Sequence, residues 1–275
     1  MVNSFLVFGI KTYQRITNKQ KLKIFNLKIL KRSNYNELIS ENEKLKFDLL
    51  FAQNFPKTAV EILRHLPISR SQLRQDLFVL SQLNFKKKGF FVEFGAADGF
   101  TLSNTYILEK IFKWKGIVSE PAKIFHKKLT LNRHCIIEKK IIWKESNQNL
   151  QFKETSIPDL STISKFSNSD NWSKRRSKKY RQYYLNTISL IDLLKKYKAP
   201  RIIDYLSIDT EGSEFEILKN FNFSMFTFKI ITCEHNFTKN RQKIFNLLTQ
   251  KGYVRKFKNL SQFDDWYINS KFDIN

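Results

Sequence analysis

The sequence predicts an α/β protein with a mostly parallel sheet covered by helices on both faces. Three observations carry this. From Gly89 onward, short apolar runs alternate with helical patterns of roughly 10–15 residues, the rhythm of βαβ units. The first run, Phe90–Phe94, empties into a glycine-bearing turn before the next helix, as strands of wound sheets do. The chain of 275 residues is 41% hydrophobic and 15% aromatic, enough for a sizeable core and unlike a disordered chain.

Residues 1–32 hold eight Lys or Arg and no acid, and read as a basic arm without a clean period. From Asn36 to about Leu83 the spacing turns helical: Leu45, Leu49 and Ala52, then Leu73, Leu77, Leu80 and Leu83, with Ser69 as the expected N-cap of the second helix. Lys86–Gly89 breaks the pattern, which sets an N-terminal helical segment over 1–84 and the wound domain over 85–275. Strands are expected at 89–94, 116–119, 135–143, 203–209, 229–234, 253–257 and 266–268. Helices are expected at 104–112, 122–132, 190–197, 213–221 and 239–251. The Ser-, Asn- and Lys-rich segment 145–186 is too long for a connection and reads as an insertion over the sheet edge.

Composition narrows the function classes. Cys135 and Cys233 stand far apart with no Cys/His cluster beside them, which argues against structural zinc and a disulfide scaffold. No apolar stretch reaches membrane-spanning length and the start makes a poor signal peptide, so a soluble cytoplasmic protein is expected. The net charge of +24 points to anionic partners or to coding bias, and 28 Ile and 23 Asn against 6 Ala favour the bias. Lys174 to Arg181, six basic residues in eight, remains a local candidate for an anionic acceptor or for RNA.

The turn Glu93-Phe94-Gly95-Ala96-Ala97-Asp98-Gly99 departs from the dinucleotide fingerprint, because its glycines are spaced GxxxG and two acids flank it. Those acids would repel a pyrophosphate but attract the cationic sulfonium and amino groups of S-adenosylmethionine. Taken alone, the turn is also compatible with a ligand-free β–α connection. Glu120, 25 residues after Gly95 at the end of the second strand and before Pro121, is placed to accept ribose hydroxyls or to cap the next helix. The expected cofactor-binding residues are therefore Glu93, Gly95, Ala96, Asp98, Gly99, Asn104, Glu120 and Pro121.

The runs FFVEFGAADGFTLSNTYILEK, GIVSEP, IDYLSIDTEGSEFEIL, ITCEHN and DDWY together resemble the FkbM-type family of S-adenosylmethionine-dependent methyltransferases, over about Ser71 to Ile268. The resemblance implies a class I methyltransferase sheet of seven strands in the order 3-2-1-4-5-7-6, the last antiparallel. It also implies O-methyl transfer to a sugar, glycan or other small hydroxyl compound. Ala97 stands where the family often carries a further glycine.

Methyl transfer needs an aligned oxygen nucleophile and a destination for its proton. The fourth and fifth strands end at Asp209-Thr210-Glu211 and Glu234-His235-Asn236, which brings Asp209, Glu211 and His235 forward as catalytic candidates. Asp209, Glu234 and Asn236 could hold Mg²⁺. The metal-free alternative makes His235 a general base oriented by Asp209 or Glu234. Helix capping would account for one or two of these residues. A nucleic-acid methyltransferase using the basic arm and the 174–181 patch is the competing function.

Overall fold

The computed structural model describes residues 37–272, so the basic arm lies outside the described residues. The chain divides into two compact units, residues 1–53 and 54–275. The described part of the first unit is helical, beginning α1 (37–54), with Leu38, Leu45 and Leu49 exposed. The division falls earlier than the 84/85 boundary expected from the sequence. The reason is that α2 (Ala59–His65) and α3 (Gln75–Gln82) belong to the second unit, where the Phe78 ring of α3 stacks on Trp266 at 4.6 Å. Ser69 does not cap α3. Arg74, in the left-handed region at φ 63°, holds that place, and Ser69 Oγ donates instead to Asp76 Oδ1.

The sheet runs through β1 (Phe90–Phe94), β2 (Lys115–Ser119), β3 (Ile136–Glu138), β8 (Ile202–Ile208), β9 (Thr227–Glu234), β10 (Tyr253–Lys256) and β11 (Asp264–Asn269). Their spatial order is β3-β2-β1-β8-β9-β11-β10. Counted along the chain this is 3-2-1-4-5-7-6. The pairings of β1 with β2 and β8, β2 with β3 and β8 with β9 are parallel, and β11 runs antiparallel to both its neighbours. The class I methyltransferase topology is thus present. Central strands are buried on both faces and read as near-continuous apolar runs, Phe91-Val92 in β1 and Leu206-Ile208 in β8 among them.

The helices are α4 (Tyr106–Lys110), α5 (His126–Asn132), α6 (Ser173–Arg176), α7 (Leu190–Lys196), α8 (Glu214–Lys219), α9 (Asn240–Gln250) and α10 (Lys258–Ser261). Most are shorter than their apolar periods suggest. The fourth begins at Tyr106 rather than Asn104, because Ser103 Oγ, Asn104 N–H and Thr105 Oγ1 turn to Glu93 before the helix starts.

The run 135–143 is not one strand. It breaks at Lys139–Lys140, where both backbone N–H groups donate to Glu138 Oε1. Its second half, β4 (Ile141–Trp143), leaves the main sheet and joins a second sheet with β5 (Asn149–Thr155), β6 (Thr162–Ile163) and β7 (Tyr180–Ser189), in the order β4-β7-β5-β6. The insertion is therefore a small mixed sheet. Its inner face packs Ile141, Trp143, Phe152 and Ile163 with Ala122. No helix among the described residues is long and apolar enough to cross a membrane.

Candidate active site

The first turn is shaped by backbone demands. Gly95 N–H and Ala96 N–H both donate to Ser119 O at the end of β2. Gly95 has φ +75°, and a Cβ there would stand 2.0 Å from Asp209 O. Glycine is required, and the close approach locks the tips of β1 and β8 together. Ala97 adopts φ 46° and donates its N–H to Glu120 Oε2 at 2.9 Å, while Glu120 Oε1 accepts from Ala122 N–H at 2.7 Å. One carboxylate thus fixes both the turn and the entry to the next helix, as the capping alternative anticipated. Burial pushes Glu120 up to about 7, against the pull of the two backbone donors and helped by Asp209 and Asp159.

These tips open on one cavity of about 280 Å³ beneath the inserted sheet. Of the expected cofactor residues, Glu93, Gly95, Ala96, Asn104, Glu120 and Pro121 line it; Asp98 and Gly99 do not. Asp98 is spent on its own loop, accepting from Phe100 N–H, Thr101 N–H and Thr101 Oγ1. Gly99 is glycine for packing, since a Cβ would meet Leu129 Cδ1 and Arg133 Cγ at 2.6 Å. Glu93 lines the cavity, yet its oxygens accept from Ser103, Asn104 N–H, Thr105 and, at 3.2 Å, the buried Arg133. Glu93 therefore builds the loop that carries Asn104, whose Nδ2 donates to Ser207 Oγ at 3.0 Å.

The strand tips of β8 and β9 bring Asp209, Glu211, Glu234 and Asn236 to one cavity. Asp209, Glu211 and Glu234 bring carboxylate oxygens within 4.8 Å of one another. Asn236 lines the cavity, but its amide turns to Glu211 Oε2 at 3.5 Å. Burial raises Asp209 to about 7, and burial with the charge of Asp209 holds Glu234 and Glu211 above the usual carboxylate range. Two carboxyl groups as close as Asp209 and Glu234 resist ionising together and favour keeping one proton between them. The helix-cap role falls to Glu214, whose Oε1 accepts from Thr210 N–H, Thr210 Oγ1 and Gly212 N–H.

His235 is the clearest departure. It does not line the cavity: its Nδ1 accepts from Phe237 N–H at 3.0 Å, and its Nε2 lies 3.8 Å from Asp265 Oδ1. Asp265 is already held by Arg241 and Arg255 on the far side of β11. Burial pushes His235 down to about 4, so it is neutral there. Strand alternation explains the miss, because consecutive residues at a strand tip point to opposite sides. His235 is not the base of this cavity.

The basic run 174–181 divides in the same way. Arg176 is fully buried and takes Asp170 with both guanidinium nitrogens, Glu211 with one of them, and Leu160 O through Nε. Arg181 pairs with Glu154. Lys174, Arg175, Lys178 and Lys179 are exposed. The sequence reading missed Gln75, which lines the cavity beside Asp264 of the DDWY run and donates to its Oδ2 at 3.1 Å. Gln75 precedes the wound domain in the chain, and only its place in the helical apolar pattern marked it.

Residues 93–267 match the methyltransferase FkbM domain. No curated protein matches the chain. Among solved structures, the methyltransferase FkbM of Methylobacillus flagellatus KT is similar at 12% identity and a TM-score of 0.42, over 76% of this chain and 60% of that one. A precorrin-6y C5,15-methyltransferase from Geobacter metallireducens GS-15 is similar at 10% identity and a TM-score of 0.36, over 70% of this chain and 84% of that one. The domain match spans more than half of the sequence and covers the strands of the wound sheet from β1 to β11, and the chain belongs to the FkbM family of S-adenosylmethionine-dependent methyltransferases.

Proposed function

We propose that the protein transfers a methyl group from S-adenosylmethionine to a hydroxyl of a small uncharged polyol, a sugar or glycan unit. One observation carries the acceptor class. Seven carboxylates line the cavity and, among the described residues, no Lys, Arg or His does. A phosphorylated acceptor would enter against that field, although the protein carries a net charge of +24. Hydroxyl donors and the cationic cofactor suit it. The exposed lysines of 174–179 are not among the lining residues, which weighs against the nucleic-acid alternative.

The residues fit the cofactor. Glu120 retains a lone pair on each oxygen for the ribose hydroxyls, the backbone of Gly95, Ala96 and Ala97 forms the turn beneath it, and Asn104 stands beside the β8 tip. The cofactor supplies a methyl on a positive sulfur. Asp209, half-buried at the cavity wall and raised to about 7 by desolvation, is placed to accept the hydroxyl proton near neutral pH, with Glu234 beside it. The oxygen gains the methyl as its proton passes to the carboxylate.

A second reading of the same tips is a bound divalent cation such as Mg²⁺, favoured by the three converging carboxylates. Asp209, Glu211 and Glu234 would hold it, and the ion would supply the positive charge that draws a hydroxyl toward ionisation. Arg176 already neutralises part of this cluster, which favours the proton-sharing pair.

Calorimetric titration with S-adenosylmethionine, followed by label transfer from the methyl-tritiated cofactor, tests the reading. Saturable cofactor binding with turnover of a neutral polyol supports it. Preference for an oligoribonucleotide or a sugar phosphate overturns the acceptor class. Full turnover after exhaustive chelation selects the proton-sharing pair, and loss restored by Mg²⁺ selects the ion.

A further inference from the structure

The cavity runs along five adjacent strand tips, from Glu120 after β2, past β1, β8 and β9, to Asp264 at the start of β11. Four strand spacings of about 4.8 Å separate its ends by roughly 19 Å. The sulfonium of S-adenosylmethionine is bonded directly to its ribose. A ribose held at Glu120 therefore keeps the methyl in that half of the row, and the β9–β11 end is left for the acceptor.

Asp264 is built to meet a ligand there. It is 4% exposed and stands opposite Glu234 in the antiparallel register. Its Oδ2 accepts from Gln75 Nε2 at 3.1 Å. The Trp266 indole is a further donor beside the carboxylate, yet Oδ1 completes no hydrogen bond of normal geometry. A buried oxygen left so is costly unless a ligand satisfies it. Gln75 is itself fixed: its Oε1 accepts from Leu73 N–H at 2.9 Å, which leaves Nε2 to face Asp264. Arg74 in the left-handed region and the Phe78–Trp266 stack set the start of α3 against β11. Gln75 lies outside the matched family domain, which begins at residue 93.

We infer that Asp264 binds the acceptor by accepting a hydrogen bond from one of its hydroxyls, and that Gln75, from the helix preceding the family domain, is the positioning residue that aims it. This rests on the proposed O-methyl transfer and names the residues that select its acceptor. The helical segment before the domain is then part of the acceptor site. Asp209 and Glu234 attend the reacting oxygen, while Asp264 grips a second hydroxyl, so its loss weakens binding more than chemistry.

The full chain, Asp264→Asn, Gln75→Ala and Gln75→Glu are each titrated with S-adenosylmethionine. Each is then assayed with the methyl-tritiated cofactor against methyl α-glucoside, methyl α-rhamnoside, glucosamine and glucose 6-phosphate. The expected result is turnover of a neutral glycoside, with KM raised tenfold or more in Asp264→Asn and about threefold to tenfold in Gln75→Ala. In both, kcat should change less than threefold and cofactor Kd less than twofold. Gln75→Glu, which sets a second carboxyl group against Asp264, should be worse than Gln75→Ala. Unchanged KM in a variant with wild-type melting behaviour overturns the inference, as does turnover of glucose 6-phosphate alone or of no sugar by a cofactor-binding protein. If Asp264→Asn does not fold, the Gln75 pair decides. Failure of the wild-type chain to bind S-adenosylmethionine strikes the proposed function instead.

Discussion

Glu120 shows how much one side chain can be asked to do. Its two oxygens hold Ala97 N–H and Ala122 N–H, and the remaining lone pairs face the cavity. Glu120→Ala should weaken S-adenosylmethionine binding by about one to two powers of ten, because a hydrogen bond to a charged group contributes about 1.5–3 kcal/mol. The loop it anchors should also loosen, so calorimetry is to be read on protein that melts as wild type does. The pH dependence has a definite sign. Burial raises Glu120 to about 7, and ribose hydroxyls are donors that favour its ionised form, so affinity should climb as pH rises from 6 to 8. A flat profile in the wild-type protein, or the same rise in Glu120→Gln, would remove Glu120 from the cofactor site. At this scale the sequence was legible in placement, since Glu120, Asp209 and Glu234 stand at strand tips and line one cavity. It was misleading where alternation turned a neighbour away, as for His235. Asp98 was misread because an Asp followed by Gly caps its own loop as readily as it faces a ligand.

Among the elements, the inserted sheet changes most between sequence and structure. Alternation in β5 and β7 is blurred because one face packs Phe152, Tyr183 and Leu185 while the other carries exposed Tyr180 and Tyr184 amid polar residues. Nothing in the run 135–143 announces that its halves join different sheets. That break depends on two lysine N–H groups closing on Glu138. Within α6 the basic run hides a structural residue, since Arg176 ties the insertion to the β8 turn through Glu211 and Asp170. Arg176→Ala should leave two buried acids unpaired and cost about 3–5 kcal/mol. Neutralising Lys174 and Lys178 should leave stability within about 0.5 kcal/mol, as surface substitutions do. Urea unfolding separates the two cases. Equal effects would mean that Arg176 is as dispensable as its exposed neighbours.

Across the whole molecule, the charge is partitioned: a chain of net charge +24 encloses an acid-lined cavity. This partition sets the pH dependence of stability. Glu120 and Asp209 are raised by burial to about 7, and Asp264 to about 8. In the unfolded chain carboxyl groups titrate near 4. Between those values the folded protein keeps protons that the unfolded chain has released, so these groups stabilise it most at low pH. That stability is lost as pH rises through 7 to 8. Two histidines work in the other direction, since burial lowers His126 and takes His235 down to about 4. Their contribution grows as pH rises toward 6.5 and is complete above it. The carboxyl groups held low by ion pairs, such as Asp204 with Lys229 and Lys86, act only under more acid conditions. Above pH 6.5 the cavity acids therefore decide the sign. The cofactor-free protein should melt roughly 5–10 °C lower at pH 8.5 than at pH 6.5 at matched ionic strength. Saturating S-adenosylmethionine should flatten the slope, because its positive charge favours the same carboxylates in their ionised form. Asp264→Asn should reduce the slope without cofactor. A melting temperature that is level or rising between pH 6.5 and 8.5 would mean that these acids are not held protonated in the folded protein near neutral pH.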